Sequence, residues 1–128
     1  MSTLCVCGRQ KKFTQCCGRF LVGGEAARTP VELMRSRYCA YAMGGYGAYL
    51  LKTWHPSFCD ELNEAQLSVR SINWVELKVI DKSHKGDRAV VEFKAYFLDS
   101  EQKKQVHHER SNFERVGGKW FYLSGEIM

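Results

Sequence analysis

The sequence predicts an α+β domain preceded by a small four-cysteine knuckle. Three observations carry this. Four of the six cysteines fall within residues 1–19 as Cys5-Val6-Cys7 and Cys16-Cys17. Helix signals then run from Thr29 to about Val69, and from Ser71 onward the texture changes to alternating strands separated by turns. Helices first and an antiparallel meander afterward is the pattern of an α+β fold.

The elements follow in order. Residues 1–19 form the cysteine module and residues 20–29 read as a connector. Thr29-Pro30 opens a helix: Thr supplies an N-cap, Pro suits the first helical position, and Glu32 lies in the first turn. That helix runs from Val31 to about Met43, where Gly44, Gly45 and Gly47 interrupt it. A second short helix spans Tyr46 to Trp54 and stops near His55-Pro56, because a residue before proline disfavours the helical region. A third starts at Ser57 or Asp60 and ends near Val69. Strands are expected at Trp74–Ile80, Arg88–Leu98, Gln105–Val116 and Lys119–Gly125. Turn signals at Lys85-Gly86-Asp87, Asp99-Ser100-Glu101 and Gly117-Gly118 separate them.

A two-residue turn at Gly117-Gly118 fixes a register. Val116 then opposes Lys119, Arg115 opposes Trp120, Phe113 opposes Tyr122 and Ser111 opposes Ser124. One face carries Phe113, Trp120 and Tyr122; the other carries Val116, Phe121 and Leu123. Two apolar faces both call for cover, which predicts a homodimer or a rolled sheet.

The totals exclude some classes. At 128 residues the chain is one ordinary domain, with 45% hydrophobic and 26% charged residues, and it can bury a core without disulfides. No stretch reaches the roughly 18 consecutive apolar residues of a membrane span. Residues 1–10 lack the basic-then-apolar layout of a secretory signal. A cytoplasmic protein without disulfides is the expectation. The net charge of +5 is uneven: residues 1–30 hold Arg9, Lys11, Lys12, Arg19 and Arg28 against Glu25 alone. Such a patch marks an acidic or ribonucleoprotein partner, or it offsets the charge of clustered thiolates. A total of +5 with no nucleic-acid-binding motif argues against direct nucleic-acid binding.

The cysteines carry the clearest chemistry. Zinc takes four thiolates in a tetrahedron, and two close cysteine pairs joined by a short loop can close one around Cys5, Cys7, Cys16 and Cys17. Gly8 and Gly18 follow each pair and let the backbone turn its amides toward the sulfurs. Near-adjacent cysteines suit disulfide geometry poorly, and the redox spacing Cys-x-x-Cys is absent. With all four positions filled by protein the site is closed, which favours a structural ion over a catalytic one. Cys39 and Cys59 read as ordinary small buried residues.

The run Cys5-Val6-Cys7-Gly8, Lys11-Lys12-Phe13 and Cys16-Cys17-Gly18 resembles the SEC-C motif, the zinc-binding segment also found at the end of the SecA translocation motor, with Arg9-Gln10 where that motif has Ser-Gly. Leu33-Met34-Arg35-Ser36-Arg37-Tyr38, then Tyr41, Tyr49-Leu50-Leu51 and Thr53-Trp54-His55 resemble the central domain of YchJ-like proteins. His108-Glu109-Arg110-Ser111, Phe113, Gly118-Lys119-Trp120 and Tyr122 resemble it too. The resemblance implies a nuclear transport factor 2-like cone over residues 30–128, in which helices cap a curved antiparallel sheet and leave a cavity. It implies an interaction element at the knuckle, and it fixes no activity, because that fold hosts enzymes and binding domains alike.

Within the cone the candidate pocket residues are Arg37, Tyr38, Tyr41, Trp54, Phe113, Trp120 and Tyr122, with His55 and Glu109 as candidate acid/base groups. Arg37 either holds a ligand carboxylate or phosphate, or pairs with Glu109 or another carboxylate to lock helix to sheet. His55 either titrates near neutrality or caps a helix end. Glu109 acts as a base or sits in an ion pair. His107 and His108, adjacent on a strand, point to opposite faces and do not share an ion. On balance the sequence favours a non-enzymatic binding module that contacts a protein or ribonucleoprotein through Arg9, Lys11, Lys12 and Arg19; a small-molecule or enzymatic pocket in the cone is the alternative.

Overall fold

The computed structural model describes residues 4–58 and 62–128. Helices come first: α1 (Gly18–Leu21), α2 (Pro30–Met43), α3 (Gly47–Lys52) and α4 (Glu64–Ser68). Four strands follow, β1 (Asn73–Lys85), β2 (Arg88–Leu98), β3 (Lys104–Val116) and β4 (Lys119–Ile127), in the order β1-β2-β3-β4 with every pair antiparallel. The mixed helix and antiparallel-sheet architecture is the one the sequence predicts.

Helix α2 is the axis of the molecule. The Thr29 hydroxyl accepts the Glu32 N–H at 3.1 Å, Pro30 takes the first helical position, and Gly44 ends the helix at φ 75°. The helix has no single apolar stripe, because it is buried on several sides at once: Leu33, Met34, Ser36, Arg37, Tyr38, Cys39, Ala40 and Ala42 are all buried. Sheet, knuckle and α3 each take one side of it.

Local packing trims the other helices. A side chain at Gly47 would overlap the Glu64 carbonyl and the Ser68 hydroxyl, so α3 begins hard against α4. Residues 53–55 leave the helix to pair with β4: Tyr122 N–H donates to the Thr53 carbonyl at 2.8 Å and His55 N–H to the Tyr122 carbonyl at 2.8 Å. This covers the outer edge of β4, which would otherwise present unpaired backbone groups. Of the third predicted helix, the described residues form a 3-10 turn at Pro56–Phe58 and α4, whose Asn63 cap accepts the Gln66 N–H at 2.8 Å, and the alternative start at Asp60 lies outside them. Cys59 lies outside the described residues.

The sheet differs from expectation in three places. β1 continues past Ile80 to Lys85 as an exposed edge paired with the start of β2, whose Ala89 and Val91 are buried. Its polar Asp81-Lys82-Ser83-His84 run hides this, because neither face is buried there. Register shifts fall at Val75 and Ile80, which are left exposed. In the β3–β4 ladder Phe113 opposes Tyr122 as predicted, but a shift at Leu123 places Ser111 opposite Gly125 instead of Ser124. The inner face of the sheet carries Leu77, Ala89, Val91, Ala95, Phe113 and Trp120 against α2. Fully burying a side chain such as Leu33 or Phe113 contributes about 2–3 kcal/mol. The outer face is mixed: Glu92 accepts from His108 at 2.7 Å and Arg110 at 3.2 Å, beside exposed Val106 and Val116.

Candidate metal centre and cavity

The knuckle is built into the core of the domain. A short antiparallel bridge pairs Leu4 with Lys12, and Cys5 N–H donates to the Lys11 carbonyl at 2.7 Å. Gly8, at φ 88°, turns the loop back. A helical turn at Phe13–Gln15 leads into Cys16, and the stretch read as a connector opens with α1, whose Phe20 is buried. A Cβ at Gly18 would strike the Phe13 carbonyl, so this close approach needs glycine. Cys5, Cys7, Cys16 and Cys17 belong to the same buried cluster as Leu33, Met34, Tyr38 and Leu77. Arg35 of α2 donates to the Cys7 carbonyl at 2.8 Å.

The four sulfurs lie within 4.8 Å of one another. Sulfurs bound 2.3 Å from one tetrahedral ion stand about 3.8 Å apart. The Cys7 and Cys16 sulfurs are 3.6 Å apart, so the arrangement fits a four-thiolate metal site. Neighbouring sulfurs share protons unequally: hydrogen bonding from Cys17 and Cys39 pulls the Cys5 thiol down to about 6, while burial and the nearby Cys7 push Cys16 up to about 11.

A cavity of about 310 Å³ opens on another side of α2. The helix contributes Met34, Arg37, Tyr38 and Tyr41, at the i, i+3, i+4 and i+7 spacing that puts them on one face. The sheet contributes Trp74, Phe93, Ala95, His107, Glu109, Ser111, Phe113 and Tyr122, and Val69 and Ile72 stand at the exposed rim.

Two polar assemblies lie in its wall. The Arg37 guanidinium is buried; its Nη1 donates to the Leu50 carbonyl at 2.8 Å and to the Thr53 hydroxyl at 2.7 Å. It lies over the rings of Trp54, at 4.8 Å, and Tyr122, at 4.7 Å, which themselves meet edge to face. Among the described residues no carboxylate comes within ion-pair distance of it. The expected Arg37–Glu109 lock is therefore not made. Desolvation pushes the Arg37 pKa down, opposed by nearby tyrosines and by Glu109.

Glu109 has its own partners: His107 Nε2 at 2.8 Å, the Tyr122 hydroxyl donating at 3.1 Å, and the Ser111 hydroxyl donating to the same oxygen. Burial pushes its carboxyl up, but these hydrogen bonds together hold it below the usual carboxylate range. The shift at Leu123 is what admits it, since a Cβ at Gly125 would overlap the Glu109 carboxylate.

Arg37, Tyr38, Tyr41, Trp54, Glu109, Phe113 and Tyr122 thus line one cavity, and two other candidates do not. Trp120 is buried, but its ring meets His84 at 5.1 Å and the Arg115 guanidinium at 5.1 Å, toward the hairpin end of the sheet. His55 sits beside Phe121, with Nε2 at 4.0 Å from Glu114, and its Nδ1 accepts the Ser57 N–H at 3.1 Å. It caps the turn that follows it, because the 53–55 segment turns outward along β4. The histidine of the cavity is His107. Its alternation with Glu109, Ser111 and Phe113 is the sequence signal that could have placed it.

Of the basic knuckle residues, Arg9, Lys11 and Lys12 are exposed. Arg19 is engaged, donating to the Cys16 carbonyl at 2.9 Å and to Glu32 at 3.3 Å. Among the described residues no helix is long and apolar enough to cross a membrane.

Fold and site together define an NTF2-like domain joined to an N-terminal four-cysteine motif. The family model for the middle NTF2-like domain of YchJ matches residues 29–125, and the SEC-C motif matches residues 1–19. The chain is 39% identical to the UPF0225 protein SCO1677 of Streptomyces coelicolor, covering 97% of this chain and 95% of that one. It is 39% identical to the UPF0225 protein plu2503 of Photorhabdus laumondii, over 98% of this chain and 81% of that one. The solution structure of RPA3114, a SEC-C motif containing protein from Rhodopseudomonas palustris, superposes with a TM-score of 0.87 at 37% identity, covering 98% of this chain and 99% of that one. The chain belongs to the YchJ-like UPF0225 family. A calcium/calmodulin dependent protein kinase II association domain from Xanthomonas campestris shares the fold alone, with a TM-score of 0.53 at 15% identity over 80% of this chain and 92% of that one.

Proposed function

We propose that this protein binds a small organic anion in the cavity of its cone domain, and that a structural zinc ion in the cysteine cluster holds the knuckle against that domain. The observation that carries the first part is Arg37. A buried cation is stable only when its charge is answered, and here two neutral acceptors and two ring faces surround it. Glu109 is held by His107, Ser111 and Tyr122. Glu109 acts on Arg37 only through space, and a ligand carboxylate at the guanidinium supplies the direct ion pair it lacks among the described residues, while Trp74, Phe93 and Phe113 offer an apolar bed for its body. Four buried sulfurs at ligand spacing support zinc, whose closed tetrahedral thiolate sites are structural.

The test is a binding screen by nuclear magnetic resonance with aromatic and aliphatic carboxylates and their neutral amides. Carboxylates should shift resonances of the cavity residues and the amides should not. Ala95→Leu, which fills the cavity and leaves Arg37 in place, should abolish binding, and Arg37→Lys should weaken it at least tenfold. Amides that bind as tightly as acids would refute the reading.

A second reading concerns the knuckle. Arg9, Lys11 and Lys12 stand exposed beside Leu4 and Val6, which are 56% and 44% exposed. Basic groups around an apolar spot suit a protein or ribonucleoprotein partner. Lys11→Glu with Lys12→Glu should abolish capture of such a partner in a pull-down; an unchanged set of captured partners would dismiss it.

A further inference from the structure

The cavity has a second polar pole besides Arg37. His107 alternates with Glu109, Ser111 and Phe113 along β3, and all four line the cavity. The imidazole Nε2 lies 2.8 Å from Glu109 Oε1, while the Ser111 and Tyr122 hydroxyls both donate to Glu109 Oε2. Those hydrogen bonds keep the carboxyl ionised at neutral pH. An ionised carboxylate only accepts, so the hydrogen of a neutral imidazole sits on Nε2 and leaves Nδ1 as a bare acceptor. Among the described residues nothing bonds to Nδ1, and the one buried side-chain nitrogen or oxygen without a partner is Trp54 Nε1, so Nδ1 is open to solvent. The imidazole is 32% exposed, and the residue opposite it on β2 is Ala95, whose methyl group covers little of the ring. Trp74 and Phe93 flank the ring at 6.0 Å and 6.1 Å.

We infer that His107 is the ligand's second anchor: its Nδ1 accepts a hydrogen bond from a hydroxyl, so the anion that the cavity takes is a hydroxy acid, with its carboxylate at Arg37 and its hydroxyl at His107. This rests on the anion reading of Arg37 and deepens it by naming the ligand class. A hydroxyl suits this pole better than an ammonium group does. Glu109 already takes three donors, so its charge is answered within the wall, and what faces the ligand is a neutral acceptor. Glu109 is thus a positioning residue, which fixes the tautomer of His107. The two poles are joined through Tyr122 and Glu109: the Arg37 guanidinium lies 4.7 Å from the Tyr122 ring, and the Tyr122 hydroxyl reaches Glu109 at 3.1 Å. The body of the ligand has to span that stretch. Trp74, Phe93 and Phe113 in the same cavity favour an aromatic body.

Titrations of the full chain followed by nuclear magnetic resonance test it. The probes are 4-hydroxybenzoate, 4-hydroxyphenylacetate and 4-hydroxycinnamate, each beside the acid in which fluorine replaces the hydroxyl. For at least one length the hydroxy acid should bind about threefold or more tightly than its fluoro partner, the gain from one hydrogen bond. His107→Gln keeps an amide N–H that can donate to Glu109 but lacks Nδ1. It should bind the fluoro acid as the unsubstituted chain does and lose the preference for the hydroxy acid. A third measurement needs no variant: the imidazole nitrogen shifts of His107 near neutral pH should show a hydrogen on Nε2 and none on Nδ1. A hydrogen on Nδ1 would overturn the inference. So would a smaller preference at every length, a His107→Gln chain that keeps the preference, or one that loses both acids equally. If no acid binds at all, the Arg37 reading falls and takes this inference with it, whereas hydroxy and fluoro acids that bind alike remove the second anchor alone.

Discussion

Arg35 of helix α2 donates a 2.8 Å hydrogen bond to the carbonyl of Cys7. This contact reaches across 28 residues and joins the loop between the two cysteine pairs to the helix that also carries Arg37 and Tyr38. The knuckle and the cavity are thus two sides of one element.

Removing that tie has a defined cost. Arg35→Ala loses a charge-assisted hydrogen bond that is partly open to solvent, worth about 1 kcal/mol. The loaded protein should unfold at slightly lower denaturant concentration and release its metal faster to a chelator. Equal midpoints and equal release rates in a urea and chelator series would show that the contact is incidental.

Gly125→Ala should be more damaging than its size implies. Its methyl group would meet the Glu109 carboxylate and the Tyr122 hydroxyl, both fixed by other bonds. Overpacking of this kind costs about 2 kcal/mol. The expected result is a lower unfolding midpoint by chemical denaturation, with the largest chemical-shift changes at Glu109 and Tyr122. A neutral substitution would mean that β4 yields at the Leu123 shift.

Glu109→Gln has a pH signature. The Glu109 pKa is lowered in the folded chain, so the charged form is favoured by folding. Its contribution is fully present above the ordinary carboxylate range near 4.3 and is lost as pH falls through the lower folded value. The stability gap between the unsubstituted chain and Glu109→Gln should be widest near neutrality and close in acid. Urea midpoints at a series of pH values measure it; a gap that stays constant with pH would contradict the assignment.

The sequence made the local features legible and hid those that depend on packing. Thr29-Pro30 announced α2, and alternation announced β2, because capping and pleat act over a few residues. The shifts at Val75, Ile80 and Leu123 left no such mark. One of them decides the site, since it sets Gly125 opposite Ser111 and opens room for Glu109. The cysteine pairs were readable from spacing, and Cys39 is the buried core residue expected, although only the docking of α2 brings it within 3.5 Å of the Cys5 sulfur. His55 drew attention through its place before proline, yet the pairing of residues 53–55 with β4 carries it away from the cavity, and His107 is the histidine that lines it.

The cysteine cluster is part of the core of the NTF2-like domain. The three tryptophans, Trp54, Trp74 and Trp120, all lie beyond residue 29, so their fluorescence reports that domain alone. Thermal unfolding followed by tryptophan emission, with and without a strong chelator, tests the claim directly. Metal removal should lower the midpoint by about 10 °C or more. A tryptophan transition that stays in place while the metal is lost would contradict it.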